Sequence, residues 1–234
     1  MSRAPAFVLV AHGTRSTRGV DMIAAIADRV RERVGLVRVA FVDVLGPSPS
    51  EVLADLDRPA VVVPAFLASG YHVHSDVPRE IEASGHREVA VTQPLGPDPT
   101  LAAIVHARLV DAGWRPGDAV VLAAAGSSDP RARDDVRRSA AMLATCTGTP
   151  VRIGYVATGG PKVPDVVADL RAAGHRRVFI ASYLLAHGLF QQRLHAAGTD
   201  GVGAPIGDHP GVVELLVRRY HTARHLAPVG ASHP

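Results

Sequence analysis

Short apolar runs rich in valine alternate along this chain with longer stretches whose apolar residues return every three or four positions. The short runs read as buried parallel strands, predicted at 7–11, 37–43, 60–64 and 88–91, then at 119–123, 151–156 and 177–181. The longer stretches read as helices. In the first, Val20, Ile23, Ala27, Val30 and Val34 form one apolar face, and Gly35 ends it. Ser75-Asp76 before Pro78, Asp98 before Pro99 and Ser128-Asp129 before Pro130 carry the signals of helix starts. Strands and helices alternating in this way predict βαβ units and a parallel α/β fold.

The pattern runs through twice. Val8-Leu9-Val10-Ala11-His12-Gly13-Thr14-Arg15 matches Val121-Leu122-Ala123-Ala124-Ala125-Gly126-Ser127-Ser128, and Phe41-Val42-Asp43 matches Tyr155-Val156-Ala157. Phe66-Leu67-Ala68-Ser69-Gly70-Tyr71-His72 matches Tyr183-Leu184-Leu185-Ala186-His187-Gly188-Leu189, and Pro94-Leu95-Gly96-Pro97 matches Pro205-Ile206-Gly207-Asp208. A repeat of this length is a small domain, so the pattern indicates tandem duplication, not an array of solenoid units. The expected architecture is two similar parallel-sheet α/β halves, 1–115 and 116–226, joined at the turn-rich Gly113-Trp114-Arg115-Pro116-Gly117-Asp118. A ligand-binding cleft is expected between them, with a disordered tail at 227–234.

Composition narrows the function classes. With 234 residues and 47% hydrophobic content the chain can bury a substantial core. No run approaches the ~20 apolar residues of a membrane span, and no signal-peptide pattern precedes the first strand, so a cytoplasmic location is expected. Cys146 is the single cysteine, which leaves no disulfide framework or thiolate metal cluster; a buried helical place is expected for it. The net charge of +3 and 4% aromatic content, without a basic run interleaved with aromatics, argue against nucleic-acid binding.

Comparing the two halves isolates candidate chemistry. His12, Asp43 and His72 of the first become Ala125, Ala157 and Leu189 in the second. His12 follows a strand, Asp43 ends the next and His72 lies beyond the third, so all three are expected at carboxyl ends, where open α/β sheets bind ligands. Two imidazoles and a carboxylate suit a divalent first-row metal with open coordination positions. Asp43 has an alternative role as a turn former. His74 makes a His-x-His pair with His72, or else flanks a helix start. His187 is a candidate substrate contact, while His86, His106, His175, His195, His221, His225 and His233 read as surface or structural residues. Gly13-Thr14 and Gly126-Ser127-Ser128 join strands to helices, and their backbone N–H groups, with Arg15 and Arg18, suit a polycarboxylate. There is no Walker phosphate loop, and Gly201-x-Gly203-x-x-x-Gly207 reads as an ordinary loop.

Ala11-His12-Gly13-Thr14-Arg15, Phe41-Val42-Asp43 and the run Phe66-Leu67-Ala68-Ser69-Gly70-Tyr71-His72-Val73-His74-Ser75-Asp76-Val77-Pro78 resemble the class II chelatases. These are the siroheme ferrochelatase and cobalamin cobaltochelatase group, which insert a metal into sirohydrochlorin. The resemblance covers nearly the whole chain, which looks like the long form with two fused units. It implies that His12 and His72 are catalytic and ligate the metal, with Asp43 where several members carry glutamate. Gly13, Thr14, Arg15, Ser69, Gly70, Ser127, Ser128 and His187 are expected to contact the tetrapyrrole. No permanently bound cofactor is expected; Fe²⁺, Co²⁺ or Ni²⁺ is a substrate, and the active unit is a monomer. A metal-dependent hydrolase and a non-catalytic metal or tetrapyrrole carrier remain as alternatives. A histidine phosphatase would need arginine where Ala11 stands.

Overall fold

The computed structural model describes residues 4–224, so the expected tail at 227–234, His225 and His233 lie outside the described residues. All seven predicted strands form. In the first repeat they are β1 (Ala6–Ala11), β2 (Val37–Phe41), β3 (Ala60–Pro64) and β4 (Val89–Val91), interleaved with α1 (Thr17–Val34), α2 (Pro49–Ala54) and α3 (Val77–Ser84). After α4 (Pro99–Asp111), the second repeat supplies β5 (Ala119–Gly126), α5 (Pro130–Thr147), β6 (Val151–Thr158), α6 (Val163–Ala172), β7 (Val178–Tyr183), α7 (Leu189–His195), β8 (Gly201–Val202) and α8 (Pro210–Ala223). β8 corrects the sequence expectation of a plain loop at Gly201–Gly203. Its glycine is required by packing, since a Cβ at Gly201 would lie 2.6 Å from the Phe179 ring.

Each repeat contributes one four-stranded parallel sheet, in the orders β2-β1-β3-β4 and β6-β5-β7-β8. β1 and β5 are therefore inner strands covered on both faces, which is why they read as unbroken apolar runs. Val8, Val10, Ala40, Val62, Leu53 and Val77 form one core in the first sheet, and Val121, Ala123, Val166, Leu170 and Ile180 form its counterpart in the second.

Packing does not follow the repeat boundary. Among the described residues one compact unit comprises 4–95 with 212–224, and the other comprises 96–211. The helix closing each repeat is the reason. α4 packs on α5 and β7, whereas α8 returns to the first sheet, where Tyr220 lies 5.5 Å from the Phe7 ring and donates to the Pro5 carbonyl at 2.7 Å. The turn-rich join lies inside the second unit, where Asp118 accepts from the Arg115 backbone N–H at 2.8 Å. Cys146, expected to be buried, is exposed on α5 because it falls on that helix's solvent face.

The two strand ends differ by one residue. Gly13 and Gly126 both have φ near +100° (99° and 103°), and a Cβ on either would sit 2.0 Å from a carbonyl oxygen of the neighbouring strand. That oxygen belongs to Asp43 in the first repeat and to Thr158 in the second, because the β5–β6 register shifts between Ala124 and Gly126. Thr158, not Ala157, therefore stands where Asp43 stands. Gly126→Ala combines left-handed strain of about 1–2 kcal/mol with this clash, so a loss of at least about 2 kcal/mol is expected in urea denaturation.

Candidate functional site

His12 is the first residue after β1, whose ladders to β2 and β3 continue to the strand end: Val42 N–H donates to Ala11 O at 3.0 Å, Asp43 N–H to His12 O at 3.0 Å and Ala65 N–H to Val10 O at 2.8 Å. The backbone carrying His12 is thereby fixed while its ring is exposed. His72 comes from the loop after β3 and opens a π-helical turn, His72–Asp76, that runs directly into α3. The two imidazoles meet with ring centroids 4.6 Å apart and planes at 78°. Phe66 stacks on His72 at 5.8 Å and 14°, and Tyr71, 57% exposed, approaches it edge-on at 6.1 Å.

Asp76 is the functional neighbour that sequence reasoning missed. The Ser75-Asp76-Val77-Pro78 pattern reads as a helix cap, but the chain is already helical at Asp76 (φ −72°, ψ −47°), and its side chain makes no cap bond. The wider turn, closed by Val77 N–H donating to His72 O, instead brings the Asp76 carboxylate back onto His72. Asp76 Oδ2 lies 2.6 Å from His72 Nδ1, and Arg79 Nη2 lies 2.8 Å from Oδ1. Asp76 is only 6% exposed, so both oxygens are held in place. The available signal was the His72-x-x-x-Asp76 spacing, which places the two side chains together in any helical turn. The same helical geometry separates His74 from His72, since residues two apart do not share a helix face; His74 is exposed.

Asp43 does not join the pair. It is exposed, and its Oδ1 accepts from its neighbour Val44 N–H at 2.7 Å, so it acts as the turn former weighed above. Among the described residues no group of three or more His, Cys, Asp or Glu side chains is placed to hold a metal, so the three-ligand arrangement expected from the sequence is not assembled. What the structure brings together is an imidazole pair. The other predicted contacts divide by role. Gly13 is needed for the close backbone approach to Asp43. Thr14 Oγ1 accepts from Ser16 N–H at 3.1 Å, just as Ser127 Oγ accepts from Asp129 N–H at 3.0 Å, so these hydroxyls shape equivalent strand-to-helix turns. Gly70, which follows Ser69, accepts through its carbonyl from Val73 and His74 N–H groups and starts the π-helical turn. Ser127, Ser128 and His187 belong to the other compact unit. His86 is structural as expected: its Nε2 bonds Arg58 O, and its Nδ1 accepts from Glu88 N–H.

Electrostatics separate the two repeats further. Ser16 at the N-cap of α1 makes no side-chain cap bond, the first helical turn carries no acid, and Arg15 and Arg18 are exposed beside it. That end is open to an anion. The start of α5 is occupied by Asp129, which accepts from Arg131 N–H at 2.9 Å and pairs with the Arg131 guanidinium. In the turn after Asp43, Val44 and Leu45 are 45% and 37% exposed.

The CbiX family model matches residues 6–112 and again 119–223. Sirohydrochlorin ferrochelatase of Priestia megaterium is 25% identical over 238 residues, covering 93% of this chain and 90% of that protein. Sirohydrochlorin cobaltochelatase of Methanothermobacter thermautotrophicus is 33% identical over 129 residues, 45% of this chain but 90% of that shorter protein. The solved structure of SirB from Bacillus subtilis with Fe³⁺ superposes with a TM-score of 0.80 at 25% identity, over 94% of this chain and 95% of that one.

Val44 is a β-branched residue with φ 67°, a conformation that favours glycine. Val44→Gly removes about 1–2 kcal/mol of left-handed strain and adds about 0.5–1 kcal/mol of chain entropy loss. A net gain of up to about 1.5 kcal/mol in unfolding free energy is therefore expected by urea denaturation.

Proposed function

The chain belongs to the CbiX family, and we propose that it inserts a divalent metal ion, Fe²⁺ or Co²⁺, into sirohydrochlorin, in siroheme or cobalamin biosynthesis. The observation that carries this is the imidazole pair of His12 and His72, ring centroids 4.6 Å apart, in a repeat whose duplicate has alanine and leucine at the matching positions. Insertion requires the ion to shed water, two pyrrole N–H protons to leave and four metal–nitrogen bonds to form as the macrocycle is held in place. A neutral imidazole can supply a metal ligand or accept a proton, and its ordinary pKa near ~6.5 suits both at neutral pH. His12 and His72 serve as metal ligands and proton acceptors. Asp43 shapes the strand end and does not bind the ion directly.

The surroundings suit a flat, apolar ring carrying carboxylates at its edge. Phe66 and Tyr71 offer apolar surface beside His72, and Val44 and Leu45 are exposed in the turn after Asp43. Arg15, Arg18 and the open N-terminus of α1 offer positive charge for the carboxylates. The metal is a substrate, and donor type alone fits Ni²⁺ as well. No helix among the described residues is long and apolar enough to cross a membrane. The protein acts in the cytoplasm as a monomer, both repeats being carried on one chain.

Metallation of sirohydrochlorin, followed by absorbance with Fe²⁺, Co²⁺ and Ni²⁺ in turn, tests the proposal. His12→Ala and His72→Ala are each expected to lower the rate by about 10²–10⁴-fold while circular dichroism stays native. Ala125→His should add nothing. Full turnover by the folded His12→Ala, His72→Ala double variant would reject the proposal, and stoichiometric binding without turnover would identify a carrier instead. Arg15→Ala and Arg18→Ala should raise KM for sirohydrochlorin and weaken its dependence on salt, because exposed charge pairs are screened over about 8–10 Å at ordinary ionic strength. Sedimentation velocity on dilute active protein should give a monomer.

A further inference from the structure

We infer that Asp76 is a positioning residue that fixes which nitrogen of His72 carries the proton, with Arg79 fixing Asp76 in turn. This rests on the chelatase reading for its consequence, but the tautomer itself follows from the hydrogen bonds. A carboxylate only accepts, and a guanidinium only donates. Arg79 Nη2 holds Asp76 Oδ1 at 2.8 Å, which leaves Oδ2 for His72 Nδ1 at 2.6 Å. His72 must therefore carry its hydrogen on Nδ1, and Nε2 keeps the free lone pair. That lone pair is what a metal ion or a departing pyrrole proton needs. A ring with the hydrogen on Nε2 could offer neither ligand nor base through that nitrogen. Burial of Asp76 strengthens the restraint, since water cannot readily replace its partners. The π-helical turn supplies the geometry and Phe66, stacked on the ring, limits its rotation.

The Asp76–Arg79 pair gives this inference a specific signature. In Asp76→Asn the side chain keeps its shape but has one accepting and one donating end. Arg79 will hold the amide oxygen, so the amide nitrogen faces His72 Nδ1 and forces that nitrogen to accept. The hydrogen moves to Nε2. Replacing Arg79 with methionine as well removes the donor that oriented the introduced amide, which can then turn its oxygen towards His72.

The test combines spectroscopy with kinetics. Long-range ¹H–¹⁵N correlation spectra of the metal-free protein are recorded above the ordinary imidazole titration range. His72 is assigned by the loss of its signals in His72→Gln. The natural protein should show the hydrogen on Nδ1, and Asp76→Asn should show it on Nε2. Metallation by Asp76→Asn should fall about 10–100-fold, the size of effect usual for the partner of a metal-binding histidine, chiefly in kcat. Asp76→Asn with Arg79→Met should return the hydrogen to Nδ1 and recover part of the rate. A hydrogen on Nε2 in the natural protein would overturn the inference even if no variant folds. So would an unchanged tautomer in Asp76→Asn, or metallation by that variant at the natural rate. If the natural protein shows the expected tautomer but metallates no tetrapyrrole, the chelatase reading fails while the positioning of His72 stands.

Discussion

The site depends first on the parallel ladders that hold β1 between β2 and β3. β1 is fully buried, and hydrogen bonds continue one residue past its end, from Asp43 N–H to His12 O. An exposed imidazole on a loop would sample many positions and lose most of its value as a ligand or base. Here it is the side chain alone that projects from a backbone fixed on both sides. Gly13 makes this possible, because any Cβ there would collide with the Asp43 carbonyl and push the strand ends apart.

The duplicated half shows such a strand end without the histidines. Its backbone is nearly the same, but the polar groups turn inward. Tyr183 at the end of β7 is 4% exposed, and Ser139 of α5 donates to its oxygen at 2.9 Å. Burial pushes the Tyr183 phenol well above its ordinary pKa, so it stays neutral. Asp135, one helical turn before Ser139 along α5, is buried and paired with Arg138. Gln191 is also buried; it accepts from Ser182 at 2.6 Å and donates to Gly203 O at 3.0 Å, tying α7 to β7 and to the chain after β8. Polar side chains in this half satisfy one another, whereas in the first half the His12 ring is exposed and His72 meets Asp76 through Nδ1.

Strain and exposed apolar surface collect at the same edge of the first sheet. Val44 has a left-handed backbone and Tyr71 is mostly exposed, features that weaken a protein unless something else retains them. Both flank the imidazole pair, Val44 through its packing against Gly13 and Tyr71 as the neighbour of His72.

The seven main strands, the duplication and the singling out of His12 and His72, whose rings the structure brings together, were legible in the sequence, because each is a local property: apolar period, glycine position, or the loss of a residue type from one copy. The class of chemistry was legible for the same reason, carried by short motifs at strand ends. Tertiary structure decided the rest. Whether Asp43 reaches the histidines depends on how the chain leaves β2, and it bonds Val44 instead. Asp76 looked like a cap because its neighbours Ser75 and Pro78 suit one; a π-helical turn brought it to His72. The same limit applies to α4 and α8, whose apolar faces mark them as packed helices but do not say on which sheet. Periodicity records that a face is buried; the partner that buries it is chosen by distant residues, and no local pattern carries that choice.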